Sequence, residues 1–181
     1  MKRNMAGATT AARPCDRLSP TFDTSAFSDT EKNICDDALG LSVDYISYRL
    51  RSKFEQSKLQ GLNREFLIPR SPSSEAAKLR SLATHMEAEY PDLFETACTK
   101  LDFTASTAHV TFNSVAKEIF QGGNVNWGRI VALFTFGGVV AHHFVETGQI
   151  EMVHRVAEWI PNFIAGNLLP WIMENGGWVS F

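Results

Sequence analysis

The sequence predicts an all-helical globule, and three observations carry that reading. Apolar residues recur at three- and four-residue spacing in segment after segment. No stretch alternates convincingly as a strand would, and no repeat is visible. One long segment in the second half is apolar almost all round, and such a helix has to be surrounded by others. The expected architecture is therefore a bundle packed about one central helix. At 181 residues, 44% hydrophobic and 20% charged, the chain suits one domain with a substantial core.

The elements follow in order. Residues 1–27 are rich in Ala, Thr, Ser and Pro and read as a disordered tail. Lys2, Arg3, Arg13 and Arg17 lie there among small residues without a continuous apolar core, so the segment is not a secretory signal. The folded domain is expected over 28–181. Ser28 and Glu31 have the spacing of a capping box, and Ile34, Ala38, Leu41, Tyr45 and Tyr48 then give one apolar helix face through about Arg51. Gly61, Pro69 and Pro72 make residues 55–72 a loop. A second helix starts at Ser73–Glu75, carries Leu79, Leu82, Met86 and Tyr90, and is ended or restarted by Pro91. Phe94, Ala97, Cys98 and Leu101 mark a short third helix. A fourth runs from Thr104 to Phe120 with Ala108, Phe112, Val115 and Ile119 along one side, and Gly122-Gly123-Asn124 stops it.

The fifth helix begins at Asn126, a good N-cap residue, and stays apolar through Phe136, Val140 and Phe144. Gly137 and Gly138 each weaken a helix by ~1 kcal/mol, which predicts a close neighbour at that point. The most apolar run, Ile130–Ala141, falls short of the ~20 residues that a membrane span needs and reads as buried core. Thr147-Gly148 breaks the chain. A sixth helix carries Ile150, Val153, Val156, Ala157, Ile160 and Ile164, with Pro161 expected to kink it or end its regular part. Asn167–Asn175 and Gly177–Phe181 read as two short final turns.

Arg129 is the one charge in the first turn of that apolar fifth helix. The helix dipole disfavours a cation there by ~0.3–1 kcal/mol, and burial without a partner would cost several times more. Arg129 should therefore reach solvent or meet a carboxylate, and that carboxylate can belong to another molecule.

Composition excludes several functions. A net charge of −3 and a pI of about 5.9 leave no electrostatic footprint for nucleic acid. Cys15, Cys35 and Cys98 lie far apart, which is neither a disulfide framework nor a zinc site and fits a reducing compartment. His142-His143 with Glu146 is a poor metal site, because neighbouring side chains on a helix diverge by about a third of a turn. No phosphate loop, nucleophile elbow or paired-His metalloprotease motif is present, so no enzyme and no cofactor is expected. Trp127, Trp171 and Trp178 read as core or cap packing, and Cys98 as a small buried hydrophobe.

Four segments resemble the homology regions of the Bcl-2 (B-cell lymphoma-2) apoptosis regulators. Glu118-Ile119-Phe120, Val125 through Ala132 (Val-Asn-Trp-Gly-Arg-Ile-Val-Ala) and Phe136-Gly137-Gly138 resemble the first region. Pro170 through Trp178 (Pro-Trp-Ile-Met-Glu-Asn-Gly-Gly-Trp) resembles the second, Leu79-Arg80 through Tyr90 and Phe94 the third, and Asp44 through Leu50 the fourth. The resemblance implies about eight helices around a central hydrophobic hairpin of the fifth and sixth. It also implies a hydrophobic groove that takes the amphipathic Bcl-2 homology-3 helix of a pro-apoptotic partner. The matching positions are Met86, Tyr90, Phe94, Val115, Ile119, Val131, Ala132 and Phe136 for the apolar wall, with Asn126 and Gly128 lining the same end. Arg129 matches the arginine that pairs with the ligand's aspartate. Asn126 suits capping and ligand contact alike.

The third region bears on direction. Killer members usually carry Gly-Asp after its central apolar residue, where this chain has Ala83-Thr84, and the first anchor position holds Glu75. As an exported helix it would lack the salt bridge a partner's arginine requires, so the chain resembles a receptor of such helices and a pro-survival member. The alternative is a pore-forming effector that permeabilises the mitochondrial outer membrane. The implied location is the cytoplasmic face of that membrane and the cytosol, with the endoplasmic reticulum a further site. Two departures stand out. The turn Gln121-Gly122-Gly123-Asn124 is one residue longer than usual and lacks the usual acidic residue. Many relatives also continue into a hydrophobic membrane-anchoring tail, which is absent from this sequence ending at Phe181.

Overall fold

A computed structural model describes residues 24–101 and 103–181. Among the described residues there are eight α-helices and no strand: α1 (Asp29–Lys53), α2 (Arg64–Leu67), α3 (Ser74–Glu89), α4 (Pro91–Lys100), α5 (Ala108–Ile119), α6 (Trp127–Glu146), α7 (Glu151–Asn167) and α8 (Leu169–Glu174). The tail expected to be disordered lies outside the described residues up to 23. Thr24–Ala26 form a 3-10 turn, and Phe27 packs against the core.

Local signals set the helix starts. Ser28 Oγ accepts from the Glu31 amide at 3.3 Å while the Ser28 amide donates to Glu31 Oε2 at 2.7 Å, closing the capping box of α1. Ser73 caps α3 and Asn126 caps α6 with a single bond each, the side-chain oxygen accepting from the amide three residues on. The expected fourth helix is shorter than read: 104–107 form a turn in which Thr104 and Thr107 hydrogen-bond each other, and α5 starts at Ala108. The 55–72 segment is also more ordered than a loop. It holds a 3-10 turn, Gln56–Leu59, and the single-turn α2, which bury Leu59 and Phe66.

The central helix is α6, with thirteen buried residues. Helices α1, α3, α4, α5 and α7 all lie against it, and α7 pairs with it as the second arm of the expected hairpin. Close approach explains the two glycines. A Cβ on Gly137 would collide with Ile160 of α7, and one on Gly138 would lie 2.7 Å from Tyr45 Cε1 and 2.8 Å from Arg49 Cδ of α1. As a whole, α6 spans 20 residues and is long and apolar enough to cross a membrane, which the shorter run Ile130–Ala141 did not indicate; most of it is buried here.

Pro161 does not end α7, since the helix continues to Asn167. A proline cannot donate to the carbonyl four residues earlier, which leaves the Ala157 carbonyl without its helical partner. The buried Ser42 hydroxyl of α1 donates to that carbonyl at 2.8 Å and replaces the missing bond. The chain's last turn closes on α1 through Trp178, whose Nε1 donates to the Ile34 carbonyl at 2.9 Å. Trp127 meets Trp171, Trp178 and Phe181 at ring distances of 5.2, 5.8 and 5.4 Å, so the tryptophans are packing residues at the base of α6.

The face of α3 differs from the expected one. Its buried residues are Ala76, Leu79 and Ala83, while Leu82 and Tyr90 are exposed. Two ion pairs with α1 set this rotation. Arg80 grips Asp44 with bonds of 2.8 and 2.6 Å, and Arg49 grips Glu87 with bonds of 2.8 and 2.9 Å. Tyr45 donates to the same Glu87 carboxylate at 2.8 Å, and Arg49 reaches the Gly138 carbonyl at 3.2 Å. Burial pushes the Glu87 carboxyl up, yet the hydrogen bonds and charge of Arg49, joined by Tyr45, hold it below its ordinary range.

Candidate functional site

The start of α6 is built from the turn that precedes it. Gly122 and Gly123 have φ of +86° and +74°, a left-handed backbone that side chains resist. The turn brings the Gln121 carbonyl to 3.1 Å from Arg129 Nη1. Asn126, in extended backbone, accepts from the Arg129 amide at 2.9 Å and so fixes the residue in the first helical turn. A Cβ on Gly128 would lie 3.2 Å from Asn126 Oδ1, so glycine leaves the cap undisturbed. The Arg129 side chain is half-buried, and among the described residues it forms no ion pair. Its guanidinium keeps donors to spare for an incoming acid.

The other candidates fall into three groups. Tyr90, Asn126 and Gly128 are exposed. Met86, Val115, Ile119 and Ala132 are half-buried and present part of their surface. Phe94, Val131 and Phe136 are packed inside, 7%, 2% and 2% exposed. Val131 lies two positions past Arg129, about 200° round the helix, and faces the core instead of the expected wall. Phe136 shares the Arg129 face, seven positions on, but Phe112 stacks on it at 5.4 Å and Phe103 stands 6.1 Å away. It therefore lies beneath the surface as a base.

Helices α3, α4 and α5 all rest on α6, which brings these positions onto neighbouring elements. Tyr90 sits at the junction of α3 and α4, where Pro91 starts the new helix. Sequence reasoning placed Leu82 only on the packed helix face and did not single out Leu93; they are 46% and 64% exposed and add apolar surface on α3 and α4. Their signal was spacing: Leu82 precedes Met86 by one turn and Leu93 follows Tyr90 by three residues. Phe94 also borders a cavity of about 860 Å³ whose other walls come from α1, α3 and the C-terminal half of α6. Cys98 lines that cavity as well, and burial pushes its thiol up to about 12, so it is an inert hydrophobe. His142 Nε2 pairs with the Glu146 carboxylate at 3.2 Å and its ring packs against Phe54 at 4.4 Å, which is a packing role.

The comparisons with known proteins converge. Residues 79–178 match the family described as apoptosis regulator proteins, Bcl-2 family. Human Bcl-2-like protein 1 is 38% identical over 115 residues, which are 64% of this chain and 48% of that protein. Chicken apoptosis regulator Bcl-2 is 38% identical over 117 residues, 65% of this chain and 49% of that one. The chain thus spans about half the length of these curated relatives. Among solved structures, Trichoplax adhaerens trBcl-2L2 bound to trBak BH3 superposes with a TM-score of 0.68 at 31% identity, covering 80% of this chain and 93% of that one. The zebrafish pro-survival protein NRZ superposes at 0.66 with 30% identity, covering 83% and 92%.

Proposed function

This chain belongs to the Bcl-2 family of apoptosis regulators, and from that premise we propose that it is a pro-survival member. It binds the amphipathic Bcl-2 homology-3 helices of pro-apoptotic proteins across α3, α4, α5 and the start of α6, and sequesters them. The observation that carries this reading is Arg129, a guanidinium anchored at a helix start by its own turn yet without an acidic partner among the described residues. The trBcl-2L2 relative, bound to a BH3 segment, supports the same mode of recognition.

The balance of terms is favourable. Each apolar anchor of the ligand contributes ~1.5–3 kcal/mol on burial, and a charged hydrogen bond to Arg129 adds ~1.5–3 kcal/mol. Ordering the peptide takes back ~2–5 kcal/mol or more. The receptor role, as against the donor role, draws support from α3. Leu79 and Ala83 of the third region face the core, and the Arg80–Asp44 and Arg49–Glu87 pairs tie the helix to α1. Releasing it would expose that face and break both pairs. The site of action is the cytosol and the cytoplasmic face of the mitochondrial outer membrane.

Isothermal titration with a Bcl-2 homology-3 peptide tests the proposal. We expect saturable binding that Arg129→Glu weakens strongly while the circular dichroism stays helical; unchanged affinity refutes the site. The second reading, a membrane-permeabilising effector, draws support from the length and apolarity of α6. Dye release from liposomes separates the two: leakage caused by this protein favours the effector, and suppression of another effector's leakage favours the guardian.

A further inference from the structure

A cleft of about 650 Å³ runs along the solvent side of α1, and it contains none of the eleven groove candidates. Its floor is the stripe Asp36, Gly40, Asp44, Ser47 and Arg51, spaced by four, four, three and four residues on one helix face. That stripe is about 22 Å long, the length of a helix of about 15 residues. The lead-in to α3 and the last turn of the chain form its walls. Two large apolar side chains stand exposed there, Ile68 at 41% and Val179 at 86%.

Gly40 is unexpected in the middle of a 25-residue helix, because glycine is the poorest helix former after proline. Gly137 and Gly138 have neighbours that exclude a Cβ, whereas a Cβ on Gly40 would meet nothing within 4 Å. Internal packing therefore gives no reason for this glycine, and its missing side chain leaves the floor of the cleft open. The cleft is also acidic: its lining holds five carboxylates against two guanidiniums, and with Asp44 held by Arg80 and Glu65 beside His154, the acidic rim is Asp37 and Glu75. Burial, and then Asp36 and Glu75 close by, hold the Asp37 carboxyl above its ordinary range.

We propose that this cleft is a second docking surface, which receives a basic amphipathic helix of a partner protein laid along α1 over Gly40. Apolar residues of the incoming helix would meet Ile68 and Val179, its backbone could approach closely at the glycine, and its lysines or arginines would face Asp37 and Glu75. A second copy of this chain docked symmetrically would set one acidic stripe against another. An anionic membrane surface would be repelled for the same reason.

The probe is a fluorescent peptide of about 15 residues, made of leucine on one helical face and lysine on the other. Anisotropy should show saturable binding that weakens with added salt. Gly40→Leu fills the floor, and Asp37→Lys reverses a rim charge. Each should weaken the probe by about tenfold or more while leaving binding of a Bcl-2 homology-3 peptide unchanged. Gly40→Leu should also melt no lower than the parent protein, so loss of binding cannot be loss of fold. Wild-type affinity in both variants overturns the proposal, and so does the absence of saturable binding. Loss in Arg129→Glu with retention in Gly40→Leu would place the probe in the groove and overturn it as well. Sedimentation showing self-association that Gly40→Leu abolishes would assign the cleft to a second copy instead.

Discussion

Removing one partner of the Arg49–Glu87 pair should be more damaging than removing both. The side chains are only 10% and 20% exposed, and Glu87 takes two bonds from Arg49 and one from Tyr45. Glu87→Ala leaves a nearly buried guanidinium with the Gly138 carbonyl as its remaining partner. Breaking a buried pair in this way destabilises by ~3–5 kcal/mol. For a domain of this size that corresponds to a fall in Tm of about 6–20 °C. Replacing both charges by Arg49→Met with Glu87→Leu keeps the volume and leaves no unpaired charge; only the buried Tyr45 hydroxyl loses its acceptor, so it should cost ~1–3 kcal/mol, less than the single change. Urea unfolding followed by circular dichroism measures both. Should Glu87→Ala cost less than ~1 kcal/mol, or the double variant be as unstable as the single one, the pair does not fasten α3 to α1 as described.

Three further outcomes follow from the packing. Ser42→Ala should destabilise by ~1–3 kcal/mol because it orphans the Ala157 carbonyl. The effect should shrink in a Pro161→Ala background, where the new amide can reach that carbonyl, and a double-mutant cycle of melts checks it. Gly138→Ala should destabilise by ~1–3 kcal/mol from the collision with Tyr45 and Arg49, whereas Gly40→Ala should stabilise by up to ~1 kcal/mol; a melt unchanged or raised in the first, or lowered in the second, would contradict the corresponding assignment. Acid should weaken the fold in two steps. Burial, then the Arg49 charge, depress the His142 imidazole below its ordinary range, so the unfolded chain takes up that proton first and stability falls as pH drops below about 6.5. Glu87 is also depressed, so its contribution is present above the ordinary carboxylate pKa of about 4.3 and is lost as pH falls through its lower folded value. His142→Phe should flatten the first step only, as read from urea midpoints across pH.

The helix order was legible because caps and stops are local: Ser28 with Glu31, Asn126, and the glycine pair after α5 act within a few residues. Segment 55–72 was obscured by its glycine and prolines, although Leu59, Leu62 and Phe66 already carry the spacing of three and four that packs them. The rotation of α3 was hidden for a different reason. Its ion pairs join residues 36 and 38 apart, and no periodicity reports such contacts. The carbonyl that Pro161 leaves free within α7 is met by a hydroxyl 115 residues away. At the candidate site, the placement of Arg129 could be read because Asn126 and the helix start fix it. The depth of Phe94 and Phe136 could not, since residues on other helices decide whether a face is covered.

The charge pairing at Arg129 is best tested by a double-mutant cycle with a Bcl-2 homology-3 peptide, crossing Arg129→Glu in the protein with aspartate→lysine in the ligand. Each single change should weaken binding, and the pair should recover part of it, with a coupling of ~1.5 kcal/mol or more. Strictly additive losses, with a coupling within ~0.5 kcal/mol of zero, would contradict the claim that this guanidinium receives the ligand's acid.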